Sequence, residues 1–130
     1  MHPAIALITV STVLLLATTA FMVGRARGRF GIKAPATTGP DGFERAFRVQ
    51  MNTQEAALMF LPALWAAANF GPVWISVSLG AVWLVARLWY AVAYANPSGN
   101  RGPGILLGIL AMRGLVIQAL WGIAWTWLLA

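Results

Sequence analysis

A chain of 130 residues is long enough for one domain, and this one is 60% hydrophobic and only 9% charged, against roughly 25% charged in an ordinary soluble domain. No core of that size hides so much apolar surface, so a bilayer must cover the remainder and a water-soluble globule is excluded. There is no cysteine, and the one histidine, His2, sits at the terminus, which excludes disulfides, thiolate-bound metal and imidazole catalysis and leaves no metal site to expect.

The first predicted helix covers about 4–24. Ile5 to Val23 is a run of 19 uncharged residues, close to the ~20 that span a ~30 Å hydrocarbon core. Its positive residues follow the apolar run instead of preceding it, so it reads as an uncleaved anchor with an outside N-terminus, not as a signal peptide. Four of the nine cations, Arg25, Arg27, Arg29 and Lys33, come next. The formal charge of +6 would suit nucleic acid, but a basic loop on the anionic cytoplasmic face accounts for it, and no nucleic-acid partner is expected. Gly24 to Gly42, rich in Arg, Gly, Pro and Thr, is read as that loop.

A second helix is predicted over about 43–69, polar in its first three turns, with a kink expected at Pro62. Asn69-Phe70-Gly71-Pro72 is an uncharged turn. The third helix, about 73–95, carries Trp74 near one end and Trp89 and Tyr90 towards the other, as suits two interfaces. After a Gly- and Pro-rich loop containing Arg101, the fourth helix covers about 104–129. The expected fold class is all-α: a multi-pass, four-helix transmembrane bundle forming a single membrane domain over 1–130. The positive-inside rule puts both termini outside and the first and third loops in the cytoplasm.

Polar residues inside such a bundle carry the chemistry. Glu44, Arg48, Asn52 and Glu55 follow at offsets 0, 4, 8 and 11, one stripe of a helix, expected to face inward because an ion at the bilayer centre costs ~2.5–3.5 kcal/mol. Arg87, Tyr90 and Tyr94 form a second stripe at i, i+3 and i+7, with Arg101 beyond. Both stripes approach the same membrane face and can converge on one site. Each also has a plainer explanation. Interhelical glue explains the first stripe equally well, Arg45 and Arg87 are expected to snorkel to headgroups, the tyrosines suit an interfacial belt, and Arg101 suits an ordinary positive-inside loop. Arg113, nine residues into the fourth helix, is expected to pair within the bundle, with Glu55 as partner.

The segment Phe43-Glu44-Arg45-Ala46-Phe47-Arg48-Val49-Gln50-Met51-Asn52-Thr53-Gln54-Glu55, followed by Phe60-Leu61-Pro62-Ala63-Leu64-Trp65, resembles the signature of the membrane-associated proteins in eicosanoid and glutathione metabolism, the MAPEG family. Thr37-Thr38-Gly39-Pro40 upstream also matches that signature, and Ala86-Arg87-Leu88, Tyr90, Tyr94 and Arg101 downstream resemble its microsomal glutathione transferase and cysteinyl-leukotriene synthase branch. The resemblance implies a homotrimer with glutathione, as co-substrate, between neighbouring subunits near the cytoplasmic side. It assigns Arg48, Asn52, Glu55, Tyr90 and Tyr94 to glutathione, adds Gln50 and Arg27, and puts Arg101 beside the sulfur as the catalytic group. Two departures stand out. Ala56 occupies a position that is tyrosine in the leukotriene-forming branch, and Gly102-Pro103-Gly104 keeps the family pattern poorly. The prostaglandin E synthase branch has a histidine where this chain has Tyr90, which disfavours that isomerase.

The residue types suit the chemistry. Glutathione offers two carboxylates to guanidinium groups and one ammonium to Glu55. Its thiol, with a free pKa of ~8.5, becomes largely thiolate at neutral pH once a cation within ~4–6 Å lowers that value by ~1–3 units. The expected function is therefore a membrane glutathione transferase or glutathione-dependent peroxidase acting on a lipophilic partner dissolved in membrane lipid. A non-catalytic lipid-binding scaffold is the alternative within the family, and a small transporter or channel subunit the alternative outside it.

Overall fold

The computed structural model describes residues 1–130 and holds four helices, α1 (Pro3–Phe30), α2 (Asp41–Phe70), α3 (Val73–Ala95) and α4 (Gly102–Leu129). At 1.5 Å per residue even the 23 residues of α3 extend ~35 Å, enough to cross a hydrocarbon core. α1, α3 and α4 are each long and apolar enough to do so by composition. α2 is the polar helix. It and α3 each pack against all three other helices, whereas α1 and α4 do not touch, and the three apolar helices make the bundle an integral membrane protein.

The ends of the helices follow local rules. Nδ1 of His2 accepts a hydrogen bond from the Ala4 amide ahead of Pro3 in the first turn, and Gly31, at φ 68°, closes α1 in the left-handed conformation. α1 therefore runs six residues beyond the predicted Gly24. Arginine is a good helix former, and Arg27 and Arg29 in the last turn complement the macrodipole, so the basic stretch continues the helix instead of forming a loop. The first connection shrinks to Gly31–Pro40. α2 continues through Pro62 to Phe70, and only Gly71 and Pro72 separate it from α3.

The core lies on the buried faces of α1, α2, α3 and α4. Phe60 and Trp83 stack in parallel with ring centroids 3.8 Å apart at its centre, flanked by Leu64, Leu115 and Ile5. Small residues let the backbones close in, as membrane bundles require when lipid supplies no hydrophobic drive between helices. A Cβ on Gly104 would stand 3.0 Å from both the Ala86 carbonyl oxygen and the Tyr90 nitrogen, so α4 rests directly on the α3 backbone. Near the α2–α3 turn, Nε2 of Gln118 donates to the Ala67 and Pro72 carbonyls and to the Ser76 hydroxyl, tying three helices together. Leu7, Leu14, Phe21, Leu106, Leu120 and Trp127 point outward, where acyl chains meet them.

Candidate functional site

At the end of the bundle that carries the first and third connections, a groove of about 530 Å³ opens between α2, α3 and α4, within the range of small-molecule sites. Its upper wall holds Arg48, Asn52 and Glu55 from α2, Tyr90 and Tyr94 from α3, and Arg101 from the residue that caps α4. Its lower part is apolar, lined by Met59, Trp83, Ile105, Ile109 and Met112. A second, more polar cavity of about 520 Å³ shares Arg48, Tyr94 and Arg101 and leads outward past Thr37, Thr38 and Glu44. The groove thus joins a wet mouth to a lipid-like interior.

Aromatic rings space the cations. The Cζ of Arg101 lies 4.4 Å from the Tyr94 ring centroid, and the Tyr94 ring is 5.5 Å from that of Tyr90. The loop before α4 is held by Trp89, whose Nε1 donates to the Asn100 carbonyl, and by the Asn100 side chain, which accepts from the Gly102 amide. Tyr90 is fixed from two sides. Its hydroxyl accepts from Nδ2 of Asn52 at 2.5 Å, and the Arg87 guanidinium lies 4.1 Å from its ring centroid while donating to the Thr53 hydroxyl at 2.9 Å. Arg87 is buried, not snorkelling to headgroups as its sequence position suggested: it sits two turns inside α3, and Thr53 and Tyr90 give it polar company there. Arg45 likewise turns to protein, bonding Asp41 at 2.7 Å and the Tyr94 carbonyl at 3.1 Å.

The α2 stripe faces this groove instead of the core. Phe43, Val49, Thr53, Ala57 and Phe60 occupy the buried face, while Arg48 and Glu55 are exposed to the groove and form no ion pair within the chain. Interhelical glue would have bonded them; only Asn52 of the stripe bonds across helices. Three guanidiniums (Arg48, Arg87, Arg101) stand against one carboxylate (Glu55) in the groove lining. That balance suits a ligand with more negative than positive groups. The expected Arg113–Glu55 pair is absent: the chain's one ion pair is Arg45–Asp41, and Arg113 is exposed on α4.

Two sequence candidates lie elsewhere. Nη1 of Arg27 donates to the Ala36 carbonyl at 2.8 Å and its Cζ stands 5.1 Å over Phe43, and it lines neither cavity. Gln50 is two residues past Arg48, about 200° around the helix, and lines neither cavity. The groove's apolar lower wall went unread in the sequence because α4 is apolar all round and its periodicity marks no face. The buried role of Arg87 was legible only as a depth along α3.

The chain is also similar in sequence to known proteins. The MAPEG family profile matches residues 5–121. An uncharacterized protein of Synechocystis sp. is 44% identical over 120 residues, covering 92% of this chain and 88% of its own. Leukotriene C4 synthase of Rattus norvegicus is 35% identical over 119 residues, covering 92% and 79%. Microsomal glutathione S-transferase 2 of Mus musculus is 34% identical over 105 residues, covering 81% and 71%.

Proposed function

The chain belongs to the MAPEG family, and from that premise we propose that it is a membrane glutathione transferase or glutathione-dependent peroxidase. The observation that carries the reading is the groove wall itself: Arg48 and Glu55, both without an ion partner in the chain, stand with Tyr90, Tyr94 and Arg101 above an apolar trough. Arg48 takes a glutathione carboxylate and Glu55 its ammonium, while Asn52, fixed on Tyr90, orients the peptide. Arg101 sits beside the sulfur and holds it as thiolate, with the Tyr94 hydroxyl as a hydrogen-bond donor. Glutathione enters from the polar mouth and the second substrate from lipid, along Ile105, Ile109 and Met112.

In the transferase reaction the thiolate forms a C–S bond to an electrophilic carbon, and the departing group leaves with the electron pair of its broken bond. In the peroxidase reaction the thiolate attacks the terminal oxygen of a hydroperoxide. The O–O bond breaks, the alkoxide takes a proton to become the alcohol, and a second glutathione converts the sulfenic acid to disulfide and water. Arg27 and Gln50, which lie outside the groove of their own chain, reach a site completed by a neighbouring copy in a homotrimer. The first and third connections face the cytoplasm.

The test is glutathione-dependent turnover of a chloronitroarene and of a lipid hydroperoxide by the purified protein, beside equilibrium binding of glutathione. Arg48→Ala is expected to weaken glutathione binding by about ten-fold or more, the worth of one charge-assisted hydrogen bond. Binding without turnover of either substrate would indicate a lipid-binding scaffold. No glutathione binding at all would overturn the proposal.

A further inference from the structure

A third cavity, of about 330 Å³, opens between α1, α2 and α3 and shares no residue with the groove that holds Arg48 and Glu55. Each helix turns one face to it. Arg25 and Arg29 stand on α1 at i and i+4, and Ala91 and Ala95 stand on α3 at the same spacing. Small side chains make the hollow, since Ala or Gly fills five of its twelve lining positions. The extension of α1 past its apolar run puts the arginines there: a loop would scatter them, whereas a helix holds their Cβ atoms ~6 Å apart on one face. Phe30 holds the extension down. A Cβ on Gly42 would stand 2.7 Å from its ring, so the ring lies against the α2 backbone.

The lining holds three guanidiniums, Arg25, Arg29 and Arg45, and no carboxylate. Arg45 is committed to Asp41 and to the Tyr94 carbonyl. Arg25 and Arg29 are exposed and have no ion partner in the chain, and the Arg29 Cζ meets only the Phe30 ring, at 5.2 Å. Arg25 stands two residues past Val23, the end of the uncharged run, and Arg29 stands six past it, or about 3 Å and 9 Å of rise. They bracket the headgroup layer, which adds roughly 5–8 Å to each side of the hydrocarbon core. Thr19 and Met22, within the apolar run, line the other end of the hollow. The hollow therefore crosses from hydrocarbon into the headgroup layer with its cations at the polar end. In the homotrimer proposed above, the edge turned to a neighbouring copy carries Arg27, two residues from Arg25 and from Arg29. That is about 200° around α1, so the hollow stays open to lipid.

We propose that this hollow binds one anionic phospholipid, with its phosphate between Arg25 and Arg29 and its glycerol and first acyl carbons against Met22, Ala91 and Ala95. Charge selects the headgroup. Two guanidiniums without a partner favour a lipid that carries net negative charge, whereas phosphatidylcholine brings its own ammonium and gains little from them. A free phosphate would satisfy the arginines but leave the apolar floor uncovered, so the lipid is the better fit. Lys33, four residues past Arg29 and exposed, does not line the hollow. Diffuse attraction to an anionic surface would use Lys33 as much as Arg29; a built site uses Arg29 alone. Lipid occupancy here needs no glutathione.

The experiment titrates dioleoyl phosphatidylglycerol and dioleoyl phosphatidylcholine into the purified protein in neutral detergent, without glutathione, and counts bound lipid by native mass spectrometry. Wild type is expected to bind phosphatidylglycerol about twenty-five-fold more tightly, about five-fold for each arginine. Arg25→Gln and Arg29→Gln should each cut that preference about five-fold, and the double variant should erase it. Lys33→Gln removes the same charge outside the hollow and should keep it. Ala91→Leu leaves every charge in place but fills the floor, and should weaken phosphatidylglycerol binding. Equal affinity for the two lipids in wild type would overturn the proposal. So would a Lys33→Gln protein that loses as much preference as Arg29→Gln, because the attraction would then be spread over the basic surface. Full displacement of phosphatidylglycerol by an equal concentration of inorganic phosphate would also overturn it, since the hollow would then take a free anion and not a lipid.

Discussion

The two ends of the bundle are built on opposite principles. Around Phe60, Leu64 and Leu115 the side chains are packed, and Nε2 of Gln118 donates to three acceptors, the Ser76 hydroxyl among them. At the other end Arg48, Glu55 and Arg101 are exposed and none has an ion partner in the chain. Stability is invested in the first region and unsatisfied binding capacity in the second. The difference teaches that a small membrane chain can carry an open charged groove because its packing is concentrated elsewhere. α2 links the two, contributing Phe60 and Leu64 to the packed end and Arg48, Asn52 and Glu55 to the groove.

The sharpest way to break this division is Phe60→Ala. Removing the ring stacked on Trp83 should cost about 3 kcal/mol and lower Tm by several degrees, while any protein still folded keeps its glutathione affinity. A large loss of affinity at full folding would show that the two regions are not separate. Gly104→Ala is next, at about 1–3 kcal/mol. Its new Cβ would press on α3 backbone at 3.0 Å, and because Tyr90 is one of the atoms' owners, this variant should disturb both regions: a lower Tm together with weaker glutathione binding. A change in Tm alone would place Tyr90's backbone outside the site's requirements.

The smallest expected effect is a gain. Ala56 lines the groove one residue after Glu55, and Ala56→Tyr supplies a phenol within the polar wall. One new hydrogen bond, about 1 kcal/mol, should tighten glutathione binding by about five-fold in a titration. A variant that binds no better, with unchanged Tm, would mean that the phenol has no acceptor at that point.

Much of this was legible in the sequence, for physical reasons that differ by element. α1, α3 and α4 announce themselves by long, predominantly apolar stretches, and the α2 stripe by its 3.6-residue period. What resisted was the choice between equivalent uses of arginine. Arg25 to Arg29 read as loop because they are charged, yet a charged residue past the membrane surface is free to stay helical. Arg87 read as a headgroup ligand because periodicity gives a face but no partner, and Thr53 opposite it is visible only in three dimensions. Gln50 could have been set apart from Arg48 by helical angle alone. The Arg113–Glu55 pair failed because proximity in a helix count ignores depth in the bilayer.

The central claim is that Arg101 turns bound glutathione into a thiolate, and ultraviolet difference absorbance in the thiolate band tests it most directly. Lowering the bound thiol's pKa below the free value of ~8.5 also means that glutathione binds more tightly as pH rises from the bound value towards the free one, because binding then releases a proton. Wild type should show the thiolate band at neutral pH, and Arg101→Ala should lose it while still binding glutathione through Arg48 and Glu55. A thiolate band that survives in Arg101→Ala, or binding with no band in the wild type, would contradict the account.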